Sequence, residues 1–144
     1  MQVQQLPDGA MDFILVMRTG DEVPACWLDF ARQQRITSAQ VSGIGAFAEV
    51  TLGYFDPHAK TYVKTRFAEQ LEVLALTGNF SLFEGEPRVH AHVLLGREDG
   101  TTLGGHLIEA RVRPTLELFV RAFPLALERG VDEATGLPLL SLRP

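Results

Sequence analysis

The sequence predicts an α+β fold, a mainly antiparallel β-sheet of about seven strands flanked by one main helix. Three observations predict it. Only Asp21–Gln34 spaces its apolar residues as one helical face. From Ser38 onward apolar residues fall in runs and period-2 alternation. Short turn-forming clusters join those runs, which suits antiparallel neighbours, because parallel strands need long crossovers.

Met11–Arg18 is a short apolar run rich in β-formers and reads as a buried strand. Thr19-Gly20-Asp21 breaks it. In Asp21–Gln34, Val23, Trp27, Phe30 and Ala31 share a helical face, and Pro24 falls in the first turn, where its missing N–H costs little. Ala39–Phe55 reads as a strand interrupted by Gly43, Gly45 and Gly53, glycines that signal bulges or close backbone approach. After a turn at Asp56–Lys60, Thr61–Phe67 and Leu71–Leu82 are strands. Glu84-Gly85-Glu86-Pro87 turns the chain into Arg88–Gly96, followed by Thr101–Ala110 and Thr115–Ala122. Pro124–Leu140 reads as irregular, with a helical turn.

The chain has 144 residues, enough for one domain with a real core. Residues 1–10 read as an N-terminal extension and 11–142 as the domain. Net charge is −5, and the 13 Lys and Arg residues form no run, which disfavours nucleic-acid binding through phosphates. The single cysteine, Cys26, excludes an internal disulfide and a Cys-rich zinc site; it reads as a small buried hydrophobe. Met1–Gly9 is polar without a signal-peptide core, and no stretch has the apolar length of a membrane span, so a cytoplasmic location is expected.

The most informative segment is Arg88–Ala110. Period-2 alternation puts Val89, Ala91, Val93 and Leu95 on one face, with Arg88, His90, His92 and Leu94 on the other. In the next strand Leu103, Gly105 and Leu107 oppose Thr102, Gly104, His106 and Ile108. Glu98-Asp99-Gly100 fits a three-residue hairpin loop closed by a left-handed glycine. Counting outward from Asp99, Arg97 meets Thr101 and His92 meets His106. Directly paired Cβ atoms lie about 4.5–5.5 Å apart, so His90, His92 and His106 converge. A two-residue loop would put His106 with the apolar side chains and is rejected. Three neutral imidazoles with one open position form a ligand set known from zinc enzymes, and the open position can activate water or hold an anion. Zn²⁺ or another divalent ion is therefore the expected cofactor, against the alternative of surface histidines or an oligomer seam.

Other signals carry less. Glu49 and Glu109 are carboxylates that the sequence does not place near the histidines. His58 lies in a polar turn. Gly43-x-Gly45 lacks the third glycine and the helix of a dinucleotide loop. Gly104-Gly105 leaves room for close approach of a ligand or another chain. Ser42 and Ser81 have no evident base partner. Arg111-Val112-Arg113-Pro114 lacks the central glycine and basic flanks of a minor-groove hook. A cupin reading of His90-x-His92 fails for want of a nearby Glu and a second motif.

Four ordered segments, Val41–Pro57, Leu71–Leu82, Pro87–Gly96 and Gly104–Ala110, resemble the plants-and-prokaryotes conserved (PPC) domain in its prokaryotic stand-alone form. Asp132–Leu140 resembles its C-terminal end, so the likeness runs from about Met11 to Leu142. The resemblance implies an antiparallel sheet with a helix, assembled as a homotrimer, with His90, His92 and His106 at the positions of a metal site. Plant relatives carry AT-hooks that contact DNA; this chain shows none, so the resemblance leaves DNA as a disfavoured partner. Two readings follow. One is a trimeric metal-site protein that could take a small-molecule ligand; the other is a DNA-associated or protein-binding module with structural histidines.

Overall fold

The computed structural model describes residues 1–6 and 12–142. Ten strands and one helix follow in the order β1 (Gln2–Gln5), β2 (Asp12–Arg18), β3 (Glu22–Val23), α1 (Ala25–Gln34), β4 (Ala39–Asp56), β5 (Thr61–Phe67), β6 (Leu71–Phe83), β7 (Glu86–Gly96), β8 (Thr102–Ala122), β9 (Glu128–Val131) and β10 (Pro138–Ser141). The α+β reading holds, with more strands than the seven expected.

The strands form one sheet along the path β1-β2-β8-β4-β6-β9-β10, with β3 on β8, β5 on β4, and β7 bridging β6 and β8. Every pairing is antiparallel except a single parallel step, Leu82 to Glu128, between β6 and β9. Because β4 pairs with β6 and β8 while β7 also pairs with both, these four strands close a ring. Bulges allow that curl. The β4–β8 register slips at three places, and Gly45 sits at one of them with φ +153°, where a Cβ would lie 2.3 Å from the Thr115 carbonyl oxygen.

Helix α1 covers one side of the sheet. Its Trp27, Phe30 and Ala31 are buried against Phe13, Leu15 and Met17 of β2. Phe30 meets Phe13 edge-on at 5.2 Å, and the Trp27 indole N–H donates to Met17 Sδ at 3.0 Å. Arg35, in the left-handed conformation, closes the helix with its N–H on Ala31 and Arg32. Cys26 is half-buried at the edge of this core.

Three expectations need correction. The helix begins at Ala25, not Asp21, because Glu22–Val23 is drawn into the sheet beside Arg111 and Ala110. Thr101–Ala110 and Thr115–Ala122 are one strand: Pro114 lies where two β4 residues, Gly45 and Phe47, span Leu116 to Val112, so its missing N–H falls in a bulge. Pro124–Leu140 contains the β9–β10 hairpin, closed by Asp132, whose carboxylate accepts from the Thr135 N–H and hydroxyl. Gln2–Gln5 pairs with β2. Met11 and the boundary at residue 10 lie outside the described residues.

Candidate metal centre

The histidines owe their placement to the β7–β8 turn. Arg97 N–H donates to the Thr101 carbonyl (2.9 Å), Gly100 N–H returns to Arg97 (3.0 Å), and Gly100 has φ +81°. The Asp99 carboxylate accepts from the N–H (2.9 Å) and hydroxyl (2.6 Å) of Thr101. This three-residue loop sets His92 opposite His106, and alternation brings His90 to the same face.

The three rings lie 5.0–5.5 Å apart between centroids. One nitrogen from each falls within 4.8 Å of the other two. His90 Nε2 and His92 Nε2 are 3.1 Å apart. Two neutral imidazoles at that distance either share a proton or aim two lone pairs at a common cation. Zn–N bonds of about 2.0–2.1 Å in a tetrahedron set the nitrogens about 3.3 Å apart, so the closest pair already fits and His106 needs a small shift inward. His106 Nδ1 is buried and has no hydrogen-bond partner among the described residues. An unpaired buried nitrogen costs about 1–3 kcal/mol, and a cation bound at Nδ1 itself would relieve it. The donor set therefore suits a divalent ion.

Electrostatics favour the ligand form of His90 and His106. Burial, then the charges of His90, His92 and Arg129, pushes His106 down to about 4. Burial, then His92 and Arg129, also lowers His90. A depressed pKa keeps imidazole neutral at pH 7, as metal ligation requires.

Two residues at the site escaped the sequence reading. Tyr62 of β5 stacks on His106 at 4.6 Å and 23°. Gly53, paired with His106 across β4–β8, makes the space: a Cβ there would sit 2.7 Å from Tyr62 Cδ1. Arg129 of β9 points its guanidinium at the site's edge, donating to Ser81 Oγ (2.7 Å), Asn79 Oδ1 (2.7 Å) and the Pro138 carbonyl (2.8 Å). Asn79 is the cross-strand partner of His90. The usable signal for Tyr62 was an aromatic one strand from a glycine; for Arg129 there was none, since β9 was not foreseen.

Other candidates lie elsewhere. Glu49 is held by Arg66 and Arg111, and Glu109 accepts from Thr51. His58 is exposed in its turn, its N–H on Asp56. Ser81 is buried with its hydroxyl on Arg129, not on a base. Val112 is fully buried within β8, so Arg111–Pro114 is sheet rather than a free hook. The chain that approaches Gly104 is β7 of the same molecule, where a Cβ would lie 2.7 Å from the Val93 carbonyl.

A curled antiparallel sheet with one helix and three converging histidines defines a small class of proteins, and comparison places the chain in it. Residues 7–124 match the model of the Plants and Prokaryotes Conserved (PCC) domain, and the chain belongs to that family. A plant- and prokaryote-conserved (PPC) protein from Pyrococcus horikoshii is 33% identical, with a TM-score of 0.86 over 92% of each chain. A metal-containing protein from Archaeoglobus fulgidus is 39% identical, with a TM-score of 0.84 over 91% of this chain and 93% of its own. A Bacteroides thetaiotaomicron protein described as a candidate DNA-binding protein is 29% identical, with a TM-score of 0.90 over 96% of each. Among curated proteins, bifunctional protein GlmU of a Synechococcus strain is 31% identical over 137 residues, 92% of this chain but 21% of that protein. The chain thus spans about a fifth of that relative's length. No described helix is long and apolar enough to cross a membrane.

Proposed function

We propose that this chain is a trimeric metal-site protein in which His90, His92 and His106 hold one divalent ion, Zn²⁺ suiting the three-nitrogen set best. The observation that carries the reading is the convergence of three ring nitrogens within 4.8 Å, one ring leaving a buried nitrogen unpaired. The metal-containing Archaeoglobus relative supports it. When bound, such an ion offers a fourth position to a small ligand or water.

Assembly as a trimer is supported by the family likeness and by the sheet face away from α1. There Ile44 (59%), Phe119 (60%), Leu74 (49%) and Leu94 (45%) stand exposed, a patch of the kind that marks an interaction surface. Metal analysis of the purified protein and of His92→Ala tests the site: near-stoichiometric metal is expected in the first and almost none in the second. Equal metal content overturns the reading. Light scattering tests the assembly, and a particle of the single-chain mass, 15.9 kDa, overturns it.

A second reading, a DNA-associated module with structural histidines, draws on the Bacteroides neighbour. The net charge of −5 opposes it. Binding through phosphates weakens steeply with salt, so absence of DNA binding even at low salt removes it.

A further inference from the structure

Arg129 differs from the other described arginines in being half-buried without an ion pair; Arg18, Arg35, Arg88, Arg113 and Arg121 also make none but are exposed. Arg32, Arg66, Arg97 and Arg111 each make an ion pair with a carboxylate. Among the described residues Arg129 makes none, and its three hydrogen bonds all go to neutral acceptors on Ser81, Asn79 and Pro138. A guanidinium has five N–H donors. Three are engaged here, and 5 − 3 leaves two, one on each terminal nitrogen. The side chain is half-buried, and burial and Arg88 oppose its charge, with no carboxylate to offset them.

The imidazole cluster beside it is equally short of negative charge. The group of possible metal ligands contains three neutral histidines and no carboxylate. A divalent ion held there keeps its full charge of +2, and the Arg129 cation stands on the strand side of Asn79, the partner of His90. Two uncompensated positive centres in a half-buried setting call for an anion. Beside His90 and His92 runs an open groove of about 400 Å³, lined also by Asn79, Thr77, Phe123 and Leu127, with room for a small organic molecule; Arg129 meets its wall through the hydrogen bond to Asn79.

We propose that the ligand of this site is a small organic carboxylate, anchored by Arg129 while its oxygen faces the fourth position of the three-histidine centre. The inference rests on the metal reading above. Ser81, Asn79 and Pro138 act as the frame that fixes the guanidinium plane. A fixed fork suits the two oxygens of a carboxylate, which a lysine ammonium cannot match.

The test uses the full chain loaded with Co²⁺, whose visible bands report ligands entering the fourth position. Wild type, Arg129→Lys and Arg129→Met are each titrated with acetate and with neutral acetamide. The expected result is acetate affinity lowered about tenfold or more in Arg129→Met, with an intermediate loss in Arg129→Lys. Acetamide response and Co²⁺ affinity stay close to wild type, because Arg129 hydrogen-bonds none of the three histidines. If removing the side chain loosens β9 and unfolds Arg129→Met, the lysine variant alone decides, since it keeps the charge and loses the fork. Bound Co²⁺ with unchanged acetate affinity in the folded variants overturns the carboxylate site and leaves the metal reading standing. Failure of the wild type to bind Co²⁺ overturns both.

Discussion

Two polar regions of this molecule behave oppositely in structure. One is a cleft of about 350 Å³ lined by Glu22, Pro24, Glu49, Arg66, Glu109 and Arg111. The other is the histidine face. In the cleft the charges close on one another: Arg111 reaches Glu22 at 2.8 Å and Glu49 at 3.3 Å, Arg66 also holds Glu49, and Thr51 serves Glu109 at 3.0 Å. Hydrogen bonds from Arg66 and then Arg111 lower Glu49, and the same carboxylate raises Arg66. On the histidine face, among the described residues, Arg129 has no carboxylate and His106 Nδ1 has no partner. Size does not separate the two. Satisfaction does: a network that completes itself has little left to offer a ligand, while an incomplete one is finished by what binds.

The sharpest way to break that contrast is a matched pair of substitutions. His92→Ala removes one of three ligands and should lower divalent-metal affinity by at least about 100-fold, beyond the 10–100-fold that loss of supporting groups costs. Glu49→Gln leaves a neutral group in an exposed network and should leave metal content unchanged, with little change in the thermal midpoint. Metal loss in Glu49→Gln, measured on the same preparations, would erase the distinction.

Much of the histidine face was legible because it depends on short-range rules. The Glu98-Asp99-Gly100 loop fixes the register, and a period of two then decides which side each ring takes. The His92–His106 pair and the helix carrying Trp27 and Phe30 follow from patterns of fewer than about 15 residues. What escaped depends on tertiary context. Arg129 is placed by a four-residue strand whose only firm signal is the Asp132–Thr135 turn. Tyr62 reaches His106 because Gly53, 53 positions away from it in the chain (106 − 53), leaves a gap. Thr101–Ala110 and Thr115–Ala122 read as separate strands because the bulge that absorbs Pro114 shows only in the register of β8 against β4. In each case the missing information lay in a neighbour brought there by folding.

Gly53 offers an intermediate test on the histidine side. In Gly53→Ala the new methyl group would meet the Tyr62 ring at 2.7 Å and the Ile108 Cδ1 at 3.0 Å, so the ring must leave His106. Overpacking of this kind costs about 1–3 kcal/mol. Loss of the stacked ring should weaken metal binding about tenfold, as for other supporting groups. Because the clash is with Tyr62, the penalty should shrink when Tyr62→Leu is added. A double-mutant cycle by urea unfolding reads that coupling, and strict additivity would show that Gly53 and Tyr62 are independent.

The gentlest test uses protons, because the two regions lose stability in different pH windows. In metal-free protein His106 titrates at about 4 when folded, against 6.5 as the ordinary value for the unfolded chain. Between these values the unfolded chain binds more protons, so stability must fall as pH drops from about 6.5 toward 4. Above that window both states carry a neutral ring and the contribution is flat. Glu49 behaves as a depressed carboxylate: its contribution is present above its ordinary value of 4.5 and is lost only below it, as pH falls through the lower folded value. Urea midpoints of the EDTA-treated protein should therefore decline from pH 6.5 downward, and His106→Gln should make that decline shallower, leaving the share that the lowered His90 contributes. Glu49→Gln should leave that upper slope intact and alter only the acid limb. A slope between pH 6.5 and 4.5 that His106→Gln leaves unchanged would mean that the buried ring is not held neutral by its surroundings. The electrostatic basis for treating the histidine face as the incomplete region would then fall with it.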